Sequence, residues 1–250
     1  MRNEFVIKDG IVVSGTLTLL VSSIDFKTVT LDELKTLDNP VIFGDIDLSS
    51  KGLKKLPDMS NVTLYGDFLC QNNALNSLKG IPNQINGKLN CARNKIKSLR
   101  HLPKHIGNGL DCSHNKIKDL RYLSDGVAGD INCSYNELVD LSYGASECTG
   151  CFNCSNNKII NLGGHLDVVY STFDCSYNLL VNLDDMPSMI YGDMICKGNK
   201  LPENFKVPGN VQGDIISDNK KPKDKQKIVV PNTFTKFLGK ITSQLLQPSR

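Results

Sequence analysis

Residues Leu89 to Leu99 read LNCARNKIKSL, and this stretch decides the fold. Leu89, Asn90 and Cys91 alternate apolar, polar, apolar, the period of a strand. Asn94 follows three residues after the cysteine, Ile96 five after and Leu99 eight after. The same pattern returns around Cys70, Cys112, Cys133, Cys154, Cys175 and Cys196, each 21 residues from the next. A fixed interval marks a repeat, and a repeat dictates architecture before any single residue does.

Each position within the unit has its own column. Two before the cysteine stand Phe68, Leu89, Leu110, Ile131, Phe152, Phe173 and Met194. Three after it stand Asn73, Asn94, Asn115, Asn136, Asn157, Asn178 and Asn199, without exception. Fifteen after it stand Ile85, Ile106, Val127, Cys148, Val169, Ile190 and Val211. One short strand per unit can pair only with the same strand of the next unit, so parallel rungs about 4.8 Å apart are expected. The cysteines then form a column of small buried side chains. Each asparagine sits where the chain leaves its strand, and its amide can both donate to and accept from backbone groups that the turn leaves unpaired.

This pattern resembles the leucine-rich repeat family, in the short bacterial and phage-type units that place Cys at a core leucine position. Leu89, Cys91, Asn94 and Ile96 occupy the diagnostic slots. The resemblance covers residues 44–220, seven clear units with a degraded one at each end: Leu48 and Ser217 fill the cysteine slot there. It implies a mainly β repeat solenoid, with a parallel β-sheet on the concave side and short turns or 3₁₀ segments on the convex side. Pro82, Pro103 and Pro187 in the return segments argue for extended or 3₁₀ turns rather than full helices. Fold does not fix function, but the family implies a module that binds other proteins.

The flanks depart from the repeat. In residues 1–43, Phe5 to Val13 and Thr16 to Val21 read as short strands joined through Asp9-Gly10 and Ser14-Gly15. Thr30 to Leu37 reads as a short capped helix. Together they form an N-terminal cap or a docking hairpin, and FVIKDGIVVSG is similar to the openings of some phage structural proteins. Residues 221–231 form a basic linker. Residues 232–250 carry an amphipathic helix with Phe234, Phe237, Leu238, Ile241 and Leu245 on one face. That face suits a cap on the last rung, a partner-binding helix or a membrane-surface helix. Ile11 to Ser23 reads as strand rather than as a leader, because acidic residues precede it.

Composition excludes several function classes. The net charge of +3 gives no reason to expect nucleic acid. No apolar run reaches the 18 or so residues that span a bilayer, so a membrane is not an expected partner. There is no phosphate loop and no dinucleotide fingerprint. Cys148, Cys151 and Cys154 spell C-x-x-C-x-x-C, but the register sends Cys148 and Cys154 inward and Cys151 to solvent, so no metal site is expected. Cys151 is instead a candidate oxidisable thiol. His101, His105, His114 and His165 make no metal pair. Gly66-Asp67, Gly129-Asp130, Gly192-Asp193 and Gly213-Asp214 recur with the repeat and read as the bend into the strand. The expectation is a protein with no catalytic residues, no metal and no cofactor.

Function is then sought on the outward rows. One after each cysteine come Ser113, Ser134, Ser155 and Ser176, and one before come Asn90, Asp111, Asn132, Asn153 and Asp174. Two after come Arg93, His114, Tyr135, Asn156 and Tyr177. Tyr and Arg dominate interface energies, so this last row, with Asp111, Asn132, Asn153 and Asp174 beside it, is the expected partner-binding site. A basic set, Lys95, Lys97, Arg100, Lys104, Lys116, Lys118 and Arg121, lies on the turns of three consecutive units and reads as a solubilising edge or an anionic contact. The expected role is a non-enzymatic adaptor or effector that grips a protein on its concave face. The alternative is a structural or decoration component of a phage virion or similar assembly, anchored through both flanks. A ladder of reduced thiols implies a reducing intracellular setting, a bacterial or phage-infected host cytoplasm, or a virion assembled there.

Overall fold

The computed structural model describes residues 39–206 and 208–218 in full, and the backbone of Ile7–Ser14 and Leu17–Leu19. The helices read at Thr30 to Leu37 and at Phe234 to Leu245, and the linker 221–231, lie outside the described residues.

The units stack as the spacing requires, into a mainly β leucine-rich-repeat-type solenoid. The main sheet has thirteen strands. Its rungs pair in parallel, cysteine slot over cysteine slot: Phe68 with Leu89, Leu89 with Leu110, Leu110 with Ile131, Ile131 with Phe152, Phe152 with Phe173, Phe173 with Met194, and Met194 with Ile215. Each strand proper is only two residues long, yet the backbone ladder runs on past it: the Cys112 amide donates to the Asn132 carbonyl at 2.9 Å and the His114 amide to the Ser134 carbonyl at 3.0 Å. The columns at minus two, zero, five, eight and fifteen point inward and make one continuous core. Phe68, Phe152 and Phe173 are its largest side chains, and the seven ladder cysteines are buried in it.

Of the two expected forms of the return side, extended or 3₁₀, the chain takes the extended one: no helix of any kind is assigned among the described residues. The chain returns in an extended form and builds a second parallel ladder. Glu147–Cys148, Val168–Val169 and Met189–Ile190 form a three-stranded sheet, and single bridges join Ile85 to Ile106, Ile106 to Val127 and Ile190 to Val211. The apolar residue fifteen after each cysteine is the reason. It must fill the core from the far side, and an extended backbone lets its amide reach the neighbouring unit, as the Ile85 amide reaches the His105 carbonyl at 3.1 Å. With both sides of the unit extended, 21 residues close the turn without a helix.

At the start of the stack, three strands merge the two ladders. We label them β1 (Ile7–Ser14), β2 (Leu17–Leu19) and β3 (Val41–Asp47). The first half of β3 pairs with Thr63–Tyr65 of the return ladder and the second half with Phe68–Leu69 of the main one. On its other edge β3 pairs antiparallel with β1, which pairs antiparallel with β2. Asp9-Gly10 is not a joint between strands: it lies inside β1, where the register against β3 shifts between Lys8 and Ile11. An antiparallel ribbon thus occupies the first edge of a parallel sheet, an edge that would otherwise present unpaired backbone groups.

Candidate functional site: a left-handed row beside the asparagine ladder

The units leave their strands through the same five positions, and in five of the seven clear units the residue before the cysteine is polar, Leu69 and Ile195 standing there in the other two. The polar residue before the cysteine folds its side-chain oxygen over the amide two positions on. Asp111 Oδ1 accepts from the Ser113 amide at 3.0 Å, Asn132 Oδ1 from Ser134 at 3.1 Å, Asn153 Oδ1 from Ser155 at 2.9 Å and Asp174 Oδ1 from Ser176 at 2.9 Å. This small turn has two consequences for the sequence reading. Asp111, Asn132, Asn153 and Asp174 are half-buried, and one oxygen of each is committed to the turn. The serines, read as an outward row, are instead buried at 4–5% exposure, tucked under the oxygen that caps them.

The next residue turns the chain. Its φ is positive in all seven clear units: Asn72 (56°), Arg93 (54°), His114 (53°), Tyr135 (53°), Asn156 (55°), Tyr177 (54°) and Gly198 (63°). Left-handed backbone suits Gly and Asn, and the chain uses them at three of these positions. At Arg93, Tyr135 and Tyr177 it places long side chains instead, at a conformational cost of about 1 kcal/mol each or more. The fold needs the backbone bend; nothing in the bend calls for Arg or Tyr.

Two rings of this row, His114 and Tyr177, lean onto the next unit. The His114 ring stacks on Tyr135, centroids 4.2 Å apart and planes within 8°. The Tyr177 ring lies over Gly198, where a Cβ would come within 2.4 Å of Tyr177 Cδ1. Gly198 is therefore the seat of an aromatic ring as well as a bend. Tyr135 and Tyr177 remain 50% and 59% exposed, and Arg93 is exposed beside them. The row is an ordered, shingled series of rings and one guanidinium on rigid backbone.

One position further on stands the invariant asparagine, and the structure shows what fixes it. Asn136 Nδ2 donates to the carbonyls of Cys112 (3.1 Å), Cys133 (3.0 Å) and Ser134 (3.2 Å), while its Oδ1 accepts from the Ile117 amide at 3.0 Å. The set recurs at Asn94, Asn115, Asn157, Asn178 and Asn199. A carboxylate would supply the acceptor and lose the donors; an alkyl side chain would lose both.

The recurring Gly-Asp pairs do more than bend the chain. Asp45 Oδ1 accepts from the Asp67 amide, Asp67 Oδ1 from Lys88, Asp130 Oδ1 from Cys151 and Asp193 Oδ1 from Asp214, at 2.7–2.8 Å. The carboxylate fills the space where the next unit's Cβ would stand, 2.4 Å from it at Gly87, 2.2 Å at Gly150 and 2.4 Å at Gly213. Asp67, Asp130 and Asp193 are each followed twenty residues later by Gly, whereas Lys88 is followed by Asn108 and Cys151 by Ser171; Gly also follows Gly109 and Thr172, at Gly129 and Gly192, so the carboxylate is one of two grounds for glycine there and backbone approach is the other. This spacing was readable in the sequence and is a second structural ladder.

The cysteines divide by burial. Desolvation pushes the Cys70, Cys112 and Cys148 thiols up to about 12 and holds Cys91, Cys133, Cys154 and Cys175 well above the ordinary range. Such thiols stay protonated and inert. Cys151 is half-buried rather than fully solvent-facing, with Sγ 3.3 Å from Ser171 Oγ. Among the described residues no three His, Cys, Asp or Glu side chains gather to hold a metal, and no helix is long and apolar enough to cross a membrane.

No family model and no curated protein matches the chain. Among solved structures the chain is similar to YopM from Yersinia enterocolitica WA-314, at 20% identity and a TM-score of 0.46. The match covers 75% of this chain and 48% of that one, about half the length of that protein.

Proposed function

We propose that this protein is a non-enzymatic interaction module that binds a protein partner through the face carrying Arg93, His114, Tyr135, Asn156 and Tyr177. One observation carries the reading. At a left-handed position where three of the seven clear units use Asn or Gly and one uses His114, the other three carry Arg or Tyr at a conformational cost, and Tyr135 and Tyr177 are half-exposed. Backbone strain that folding does not require points to function. Rigid aromatic rings and an Arg on fixed backbone are the residue types that anchor protein interfaces, because little entropy is lost when they are covered. The half-buried polar row, Asp111, Asn132, Asn153 and Asp174, would supply the floor of the contact.

The test separates binding from stability. Tyr135→Asn and Tyr177→Gly install the residues that other units already use. The double variant is expected to melt at the same temperature or higher, and to lose at least tenfold in partner capture. Partner capture by the double variant is read by affinity pull-down from the native source, and photo-crosslinking of the otherwise unchanged chain there places a benzoylphenylalanine at position 135 or 177, with a control at Tyr65 on the return side. Crosslinks as strong from position 65 as from 135 and 177 would sink the proposal.

A further inference from the structure

A second surface emerges on the turn edge, at the position six residues after each cysteine. Its neighbours at five and eight are buried, so this position points out in every unit. Along the stack the column reads Asn76, Lys97, Lys118, Val139, Ile160, Val181. The register is fixed by the backbone: the Ile160 amide donates to the Val139 carbonyl at 3.1 Å. Val139, Ile160 and Val181 are 47%, 61% and 56% exposed. A single exposed aliphatic residue needs no explanation, but three in register, one above another, form a continuous apolar stripe.

The lower half of the same column is basic. Lys97 and Lys118 are exposed, with Lys95 and Lys116 exposed on the adjacent column, and none of the four makes an ion pair with another described residue. At the divide Arg121 stacks over the Tyr143 ring, 4.8 Å from its centroid. On the adjacent column Glu137 and Lys158 interrupt, and Leu179 then rejoins the apolar half. The edge therefore changes from cationic to aliphatic along its length, over the five rungs from Lys97 to Val181, about 19 Å.

We propose that this edge is a docking surface for a protein segment whose own sequence passes from acidic to aliphatic. Charge complementarity selects the acidic half: four unpaired ammonium groups on neighbouring rungs attract a run of carboxylates. Geometry selects a linear partner. The column is one side chain wide and polar at one end, whereas a bilayer surface would meet apolar residues gathered in a plane with cations around them. About six extended residues or some thirteen helical ones match its length. This surface shares no residue with the Arg93–Tyr177 row and does not rest on that reading.

The probe is a fluorescein-labelled synthetic peptide of fourteen residues, Asp and Glu in one half and Val, Ile and Leu in the other, followed by anisotropy on the full chain. Two control peptides replace the acidic half with Lys or the aliphatic half with Ser. The acidic–aliphatic peptide is expected to bind at least tenfold tighter than either control and to weaken as salt rises. K97E/K118E is expected to weaken it at least tenfold and V139S/I160S/V181S at least fivefold. K104E/K206E, the same charge change away from the column, should stay within twofold, as should Tyr135→Asn with Tyr177→Gly, which keeps this test separate from the previous one. All these positions are on the surface, and unchanged melting curves confirm the fold. Equal binding of the three peptides would overturn the proposal. So would flotation with phosphatidylserine vesicles that needs the same five residues.

Discussion

Positions two and three after each cysteine are neighbours in the chain, and they behave in opposite ways. Position three is Asn in all seven clear units; position two is Asn, Arg, His, Tyr, Asn, Tyr and Gly in turn. Both are equally needed by the fold. At position three the side chain does the structural work, with two N–H groups shared among three carbonyls and one accepted bond tying two units together. At position two only the backbone does, through its positive φ and its rung to the next unit. Where the fold uses a side chain, the sequence is uniform. Where it uses only backbone, the side chain is free to vary, and variation is where recognition can be written.

The sharpest way to break the uniform half of this comparison is alkali. The buried thiols are raised in the folded state, so folding favours their protonated form. That contribution is whole below about pH 9, the ordinary thiol value, and is lost as pH climbs towards 12. Each such thiol withdraws its share of that stability as it ionises across that window. With seven of them raised, urea midpoints are expected to fall as pH rises above 9; a midpoint unchanged at pH 10.5 contradicts the burial argument. At pH 8 Ellman's reagent should label Cys151 fast and the others only at the unfolding rate.

A single-site break comes next. Asn136→Ala leaves three carbonyls and one amide without their partner and should cost about 3 kcal/mol in urea unfolding. Asn136→Asp should recover little of it, since it restores the acceptor alone. A smaller effect is expected at the aspartate ladder. Gly150→Ala drives a Cβ into Asp130 Oδ1 and should cost about 2 kcal/mol, with a coupling of about 0.5–1 kcal/mol when Asp130→Ala is combined with it. Additive losses would show that the backbone contact at Gly129, and not the carboxylate, sets the glycine.

The smallest effects are expected on the variable side. Tyr135→Val puts a β-branched residue at φ 53° and should lose about 1 kcal/mol. Tyr135→Asn should change stability by less than about 0.5 kcal/mol in the destabilising direction. If Asn destabilised as much as Val, the His114–Tyr135 stack would be a structural contact, and the contrast between the two positions would weaken.

The ladder of rungs, the cysteine and asparagine columns and the inward face were legible from the 21-residue spacing, because each depends on a side chain that must recur wherever its environment recurs. The serines after each cysteine were not. Alternation placed them outward, and only the Asx turn at Asp111, Asn132, Asn153 and Asp174 folds them in. The second ladder was half legible: its apolar column at position fifteen was plain, but its backbone pairing was not, since an extended return and a 3₁₀ return bury the same residue.

The Arg93–Tyr177 row could be picked out by residue type, but not the strain that gives it meaning. The apolar stripe at Val139, Ile160 and Val181 was not legible because each directly follows a buried aliphatic residue, Leu138, Ile159 or Leu180, and its neighbours in space are 21 residues away. By itself the sequence determined the unit, its period and which side chains are shared by every rung, because a repeated environment demands a repeated residue. Only the tertiary structure decided which surface positions stand in line, which bends are left-handed and which exposed rings are stacked, because those depend on backbone geometry that no single residue type encodes.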